Sequence, residues 1–288
     1  MADAIRLDVG HLKQWVGRTE VLTDQVTVAP VRALAATLER EGAALQPGDP
    51  IPPCWHWLYF LPGHRQSELG PDGHPRRGGF LPPVPLPRRM WAGSTLEFRR
   101  PLRVGDTITR SSRIVDVSAK EGRTGSLVFV KVRHEVADAA GLAVLEDQDL
   151  VYREASTPGA VPPRGVPAPG GAEWTREIHP DEVLLFRYSA LTFNGHRIHY
   201  DWRYATEAEG YPDLVVHGPL TATLLLELLH RERPETQLTR FTFRGVAPLF
   251  ANTPFHVCGR SGDDGTSVLL WAERPDGTLA MEAAATLA

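Results

Sequence analysis

The sequence predicts an α+β chain made of two copies of one unit, each a helix set against a curved antiparallel sheet. Three observations carry that prediction. Alternating apolar and polar runs, the period-2 signature of half-buried strands, extend from residue 91 to residue 153 and return from 240 to 287. A helical pattern precedes each of these regions. Finally, LEFRRPLRVGDT in the first half and FTFRGVAPLFANT in the second share an FR…PL pattern at similar places, as a repeated unit requires.

The chain has 288 residues, 42% of them hydrophobic and 23% charged, with a formal net charge of −4. That suffices for one large or two medium cores. The charges are interspersed, with no basic block that would track a phosphate backbone, so nucleic acid is not an expected partner. No run of about 18 apolar residues suits a bilayer, and MADAIRLDVG lacks the apolar core of a signal peptide. Two cysteines, Cys54 and Cys258, are too few to staple a chain of this size. The expected setting is reducing and cytoplasmic, away from membranes.

Residues 1–50 read as helical. In PVRALAATLEREGAAL, Val31, Leu34, Ala35 and Leu38 recur at i, i+3, i+4 and i+7 opposite Arg32, Thr37, Glu39 and Arg40, so one face packs and the other stays wet. CWHWLYFLP, at 54–62, brings Trp55, Trp57, Tyr59 and Phe60 to the start of a Gly- and Pro-rich stretch, 63–88, in which no regular element should persist. A segment that long is expected to be a functional loop or a disordered one, and its aromatic flanks suit either a pocket wall or plain core. Strands follow, separated by turn signals at Val104-Gly105-Asp106, Glu121-Gly122 and Ala140-Gly141. In the clearest, Val128, Val130 and Val132 alternate with Leu127, Phe129, Lys131 and Arg133. Residues 154–172, crowded with Pro and Gly, read as a linker that divides the chain into units 1–153 and 173–288. In the second unit 240–244, 255–258, 267–273 and 279–287 read as strands, the last two joined by the turn Arg274-Pro275-Asp276-Gly277.

Ahead of those strands lies the densest chemistry, FRYSALTFNGHRIHYDWRYATEAEGYPDLVVHGPLTATLLLELL at 186–229. Its last part opens on Pro219, whose fixed φ suits a first helical position. Leu220, Ala222, Leu224, Leu225, Leu226, Leu228 and Leu229 then leave only Thr221, Thr223 and Glu227 as polar members. A helix apolar on nearly every face is wrapped by other structure or lies in a membrane. This one stops at Pro234, short of the roughly 20 residues a bilayer needs, so it is a sheathed rod about 22 Å long.

The first part of the stretch packs Asn194, His196, His199 and Asp201 into eight positions. Read from the residues alone, several assignments stay open. Asn194-Gly195 is a type I′ turn signal. His196, His199 and Asp201 form an H-x-x-H-x-D set, but that spacing puts both rings on one side only in a helix, which Asn-Gly opposes; no metal is expected. His217 suits a cap or a hydrogen-bonded core histidine, and Arg197 and Arg244 suit solvated faces.

The segment Leu191-Thr192-Phe193-Asn194-Gly195-His196-Arg197-Ile198-His199-Tyr200-Asp201, with His217-Gly218 further on, resembles the motif of the MaoC-like (R)-specific enoyl-CoA hydratases. That motif is L-S-G-D-x-N-P-[LI]-H-x-D followed by H-G. The match holds at Leu191, Ile198, His199, Asp201, His217 and Gly218; Asn194 stands where the usual aspartate does, and His196-Arg197 where the usual Asn-Pro does. The variant F-N-G-H-R-I-H-Y-D, with GFLPPVPLPRRMWAG in the first half, is similar to the subgroup of mesaconyl-C4-CoA hydratases, itaconyl-CoA hydratases and mitochondrial type 2 hydroxyacyl-thioester dehydratases. The resemblance covers most of the chain and implies a double hot-dog fold, a long helix as sausage and an antiparallel sheet as bun. The first unit, with no counterpart of N-G-H-x-x-H, is then a degenerate unit serving as pocket wall, and one site per chain is expected where the units join.

Adding water across an α,β-unsaturated thioester needs a base for the attacking water, an acid at the α-carbon and a donor for the enolate-like oxygen. On the resemblance, His199 is the general base and acid. Asn194, an amide that cannot exchange a proton at neutral pH, orients the water. Gly218, whose N–H lies at the positive end of a helix just before Pro219, holds the thioester oxygen. Either His199 performs both transfers, or Asp201 or His196 takes the role the aspartate leaves. His196, Arg197, His217, Arg244, Arg88 and Trp91 are the expected substrate- and CoA-binding residues, with Arg89 a further cation for the phosphates. No cofactor is implied beyond the CoA thioester, which is the substrate, and a homodimer is the candidate assembly. The expected activity is a hydro-lyase on a short, branched or dicarboxylic enoyl-CoA such as mesaconyl-C4-CoA or itaconyl-CoA, in either direction. The alternatives are a hot-dog acyl-CoA thioesterase and a non-catalytic acyl-CoA-binding protein.

Overall fold

The computed structural model describes residues 7–40, 45–122, 125–155 and 165–288. A short helix α1 (Val9–Lys13) leads into strand β1 (Thr19–Gln25) and helix α2 (Val28–Thr37). An irregular path then reaches β2 (Arg88–Phe98), β3 (Thr107–Gly122), β4 (Gly125–Asp138) and β5 (Gly141–Arg153). The second half runs β6 (Trp174–Ile178), α3 (Glu182–Leu191), α4 (Gly218–Glu232), β7 (Leu238–Gly245), β8 (Phe255–Ser261), β9 (Ser267–Glu273) and β10 (Leu279–Leu287).

These strands form one antiparallel sheet in the order β1-β3-β4-β5-β2-β7-β10-β9-β8-β6. Each half has its first strand outermost and its second strand innermost, so the topology is the same twice. The halves meet where β2 pairs with β7, with Leu96 facing Phe241. Superposing the two FR…PL segments aligns those same residues, so the faint repeat in the sequence turns about the pair at which the halves join. Close approach there requires Gly93: a Cβ would lie 2.3 Å from the Phe243 carbonyl oxygen. On its other side β2 shifts register against β5 between Trp91 and Gly93, a bulge beside the site described below.

α4 is the predicted rod. It spans 15 residues, and every residue from Leu220 to Leu229 is buried among β2, β6, β8, β9 and β10. Its polar members are largely paired: the Thr221 and Thr223 hydroxyls donate to the carbonyls of His217 and Pro219 at 3.2 and 2.8 Å, and Glu227 Oε1 accepts from Arg40 at 2.9 Å, while its buried Oε2 has no partner among the described residues. Full burial contributes about 1.5–3 kcal/mol per leucine. The first half has no equivalent rod; α2 lies there with Val31, Leu34 and Ala35 buried, the face its periodicity marks. Among the described residues no helix is long and apolar enough to cross a membrane.

Two expectations change. Residues 1–50 are not all helical, because β1 separates α1 from α2. As an edge strand β1 is half-buried on one face only, and its apolar Val21 is exposed while Leu22 packs, so no period-2 signal forms. Of the expected linker, 156–164 lie outside the described residues, and from 165 onward the chain is tied to the second half. There Leu279 N–H donates to the Val166 carbonyl at 2.7 Å and Ala168 N–H to that of Gly277 at 3.0 Å. The stretch 63–88 holds only a turn of 3-10 helix at Gln66–Glu68 before β2 begins. It is pinned by Arg77, whose guanidinium donates to the carbonyls of Val84, Leu86 and Pro87.

Candidate active site

α3 begins under the Asp181 carboxylate, which accepts Leu184 N–H at 2.7 Å. It ends in a Schellman turn: Asn194 N–H donates to the Ser189 carbonyl at 2.8 Å and Phe193 N–H to that of Ala190 at 3.3 Å. The left-handed residue is therefore Phe193, at φ 48°, where glycine is usual. The expected Asn-Gly type I′ turn does not form, because closing the helix end commits the Asn194 backbone. The Asn194 side-chain Oδ1 then accepts His196 N–H at 3.0 Å, an Asx turn that feeds the chain into one 3-10 turn, Arg197–His199.

That turn places His199. Its Nδ1 donates to the Val215 carbonyl at 2.7 Å, while Val215 N–H donates to the Ile198 carbonyl at 2.9 Å. A carbonyl only accepts, so the proton sits on Nδ1 and Nε2 is bare. The ring stacks on His217, centroids 3.7 Å apart and planes 18° from parallel. His217 Nε2 lies 2.8 Å from Ser189 Oγ, and its buried Nδ1 has no partner among the described residues. Directly after it, Gly218 opens α4. Thr221 N–H is the first to find an acceptor on the helix, the His217 carbonyl at 3.0 Å, so the N–H groups of Gly218 and Leu220 precede the ladder at its positive end. The Trp91 carbonyl passes close by, 3.7 Å from where a Cβ on Gly218 would lie.

The first half supplies the facing wall. Arg197 N–H donates to the Asp72 carbonyl at 2.9 Å, and its guanidinium to that of Pro71 at 3.0 Å. Gly73 lies on Gly195 so closely that a Cβ at Gly73 would be 1.8 Å from the Gly195 carbonyl oxygen, and its φ is +87°; only glycine fits. Two Asx-Gly-His triplets thus face each other. In Asp72-Gly73-His74, as in Asn194-Gly195-His196, the histidine N–H bonds the Asx side chain at 3.0 Å. The His74 ring lies 4.1 Å from that of His196, which meets His199 edge-on at 5.4 Å. His74, His196, His199 and His217 form a continuous row, with Asp72 Oδ2 at its end, 3.1 Å from His74 Nδ1.

Burial sets the electrostatics of the row. It pushes His199 down to about 4, against the pull of the Val215 carbonyl. Burial and then the His199 charge hold His217 well below the usual histidine range. His196 is lowered by burial, then by His74, His199 and Arg89. His74 falls to about 4 through burial and Arg89, despite Asp72. Burial pushes the Asp72 carboxyl up, but its hydrogen bonds with His74 outweigh that and leave it lowered and ionised. Near pH 7 the row is four neutral rings with a carboxylate at one end.

The structure brings His199, Asn194 and Gly218 together with His196, His217 and the backbone of Trp91, whose indole instead donates to Gly93 and Ser94 and packs on Trp57 and Phe243. The arginines are engaged elsewhere. Arg197 holds Asp201 Oδ2 through Nε and Nη2 at 2.9 and 2.7 Å and lies over the Tyr204 ring, while Asp201 Oδ1 accepts Tyr204 N–H at 3.1 Å. Both oxygens of Asp201 are thereby committed to the loop. Arg88 is buried against Glu209 and the Tyr211 ring. Arg244 is 66% exposed and bonds Glu282 at 2.8 Å. Arg89 is the cation whose charge acts on Asp72, His74 and His196.

His74 and Asp72, with Ser189 and Val215, are the site residues that the sequence reading omits; the second Asx-Gly-His triplet is the signal that marks the first two. Asp72, His74 and His196 also present ligand atoms within 4.8 Å of one another. His74 Nδ1 is already bonded to Asp72, and a guanidinium charge acts on all three, which disfavours a dication there. The other set, His196, His199 and Asp201, is broken by the Arg197–Asp201 pair. A cavity of about 470 Å3 lies at the opposite end of α4, lined by Leu226, Glu227 and His230 with Pro50 and Phe98; no motif residue lines it.

Residues 54–251 match the model of the family described as hydroxyacyl-thioester dehydratase type 2. The chain belongs to that family. It is 47% identical over 282 residues to mesaconyl-C(4)-CoA hydratase of Chloroflexus aurantiacus, covering 95% of this chain and 96% of that protein. To the mitochondrial hydroxyacyl-thioester dehydratase type 2 of Schizosaccharomyces pombe it is 30% identical over 277 residues, covering 83% and 89%. Among solved structures, a MaoC-like dehydratase superposes with a TM-score of 0.70 at 18% identity, covering 94% of this chain and 98% of that one. A Mycobacterium tuberculosis protein described as having a double hotdog fold gives 0.57 at 16% identity, covering 98% and 100%. The chain therefore has the double hot-dog fold expected of it.

Proposed function

We propose that this protein is a hydro-lyase that adds water to a short dicarboxylic enoyl-CoA of the mesaconyl-C4-CoA class, or removes it in the reverse direction. The observation that carries the reading is the stacked His199–His217 pair at the Gly218 end of α4, in a chain 47% identical to a mesaconyl-C(4)-CoA hydratase. In hydration, bare His199 Nε2 takes a proton from water as the water oxygen bonds the β-carbon. The π pair moves onto the thioester oxygen, which accepts from Gly218 N–H. The same imidazole returns its proton to the α-carbon and the carbonyl re-forms, so atoms and charge balance. Asn194, with Oδ1 committed to His196 N–H, offers its amide N–H₂ to the water. His196 and His217 border His199 on this reading, and Arg89, whose charge acts on Asp72, His74 and His196, is the candidate cation for a carboxylate or phosphate. The two cysteines are free and buried, in keeping with a reducing, cytoplasmic setting.

A panel of enoyl-CoA thioesters tests this, read by loss of the conjugated-thioester absorbance together with a thiol reagent. Absorbance loss without thiol supports the hydro-lyase. Thiol release makes the protein a thioesterase, and neither signal despite measurable binding makes it an acyl-CoA carrier.

A further inference from the structure

A proton held on His199 during turnover is a cation created among buried, neutral rings, and such a charge is costly unless an anion stands near. Asn194, the polar residue of the motif itself, carries no charge, and Asp201 is neutralised by Arg197. We infer that Asp72, on the loop of the first half, is the counter-charge of this site, acting through His74 and His196 on the proton that His199 carries. The inference rests on the hydro-lyase reading and supplies that reading with its missing carboxylate.

The geometry is specific. Asp72 bonds the row twice, through Oδ1 to His74 N–H at 3.0 Å and through Oδ2 to His74 Nδ1 at 3.1 Å. His74 lies against His196, and His196 against His199. The loop that carries Asp72 is docked on the motif by two Arg197 hydrogen bonds and by the glycine-on-glycine contact of Gly73 with Gly195. Asp72 thus occupies in its own Asx-Gly-His triplet the place that Asn194 occupies in the facing one. The titratable and charged groups acting on His74 from the surrounding elements are Asp72, Arg89 and Arg77; on His196 they are Arg89 and the neighbouring rings His74, His199 and His217. Asp72 is the anion among them. Asp72 and His74 touch no reacting atom in this scheme and leave the cycle as they entered it, so they are positioning residues.

The test is Asp72→Asn, which keeps an amide oxygen for His74 N–H, removes the charge and puts an N–H₂ donor where the carboxylate oxygen met His74 Nδ1. Two readouts are taken. By NMR titration of the histidine side chains, the midpoint of His74 moves to lower pH in the variant, whatever substrate the enzyme uses; an unmoved midpoint overturns the inference. In steady-state hydration, kcat falls about 100-fold with KM changed little; wild-type kcat in the variant also overturns it. Gly73→Ala, which undocks the loop, is the structural reference and loses KM and thermal stability as well as kcat. A coupled row in a wild-type protein that turns over no enoyl-CoA leaves the counter-charge standing and sinks the hydro-lyase reading instead. Activity restored by Zn2+ and removed by a chelator would overturn the inference by putting a metal on Asp72, His74 and His196.

Discussion

The imidazole of His199 lies 3.7 Å above that of His217, planes 18° apart, so the proposed proton carrier and the residue that introduces the α4 amides form one stack. Each ring is anchored by one nitrogen: His199 Nδ1 on the Val215 carbonyl and His217 Nε2 on Ser189 Oγ. The remaining nitrogens, His199 Nε2 and His217 Nδ1, are left for water or substrate. Both rings are thus held in place without a ligand, as the proposed chemistry requires.

Gly218 separates backbone from side-chain effects. In Gly218→Ala the new methyl meets the Trp91 carbonyl at an ordinary 3.7 Å and the N–H survives, so most of the activity remains. Gly218→Pro removes the N–H where proline is conformationally tolerated. Its kcat should fall about 100- to 1,000-fold, the usual cost of one oxyanion donor, with little change in thermal midpoint. Equal activity of the two variants would show that the amide holds no oxyanion.

The docked loop predicts a stability effect. Gly73→Ala places a methyl within 1.8 Å of the Gly195 carbonyl at φ +87°, and the strain should cost about 1–3 kcal/mol. Gly63→Ala, in the same irregular stretch with open space around it, should be silent. Urea midpoints of the two variants compare them directly.

Acid should weaken the fold through the same histidines. Unfolded, each binds its proton near the ordinary value of about 6.5; folded, His199 and His74 do so at about 4. Between those values the unfolded chain holds more protons, so stability is complete above about pH 6.5 and is lost as pH falls toward about 4. Denaturant midpoints at pH 7.5, 6 and 5 should decline in that order. Hydration should hold level down to about pH 5 and fall where His199 protonates; a midpoint that rises on acidification would contradict the buried, neutral row.

What the sequence revealed, and what it hid, has a physical basis. α4 was legible because ten consecutive residues are buried and nearly all apolar, and the central strands because β-branched residues alternate along them. The edge strand β1 was not, since it buries one face incompletely. Asn194-Gly195 misled because a helix end nearby claimed the backbone, and left-handed geometry fell to Phe193. The motif points to His199 and Gly218, whose proposed roles are local to it. Asp72 and His74 stand more than 110 positions from the motif, and only folded contacts such as Gly73 on Gly195 and Arg197 on Asp72 bring them to it.

The most direct test of the account is to compare wild-type protein and His199→Ala on mesaconyl-C4-CoA under identical conditions, following enoyl-thioester absorbance and far-UV circular dichroism. The account predicts that wild-type protein consumes the conjugated thioester without releasing thiol, and that the variant, equally folded, shows no turnover. Wild-type turnover by the folded variant would contradict it.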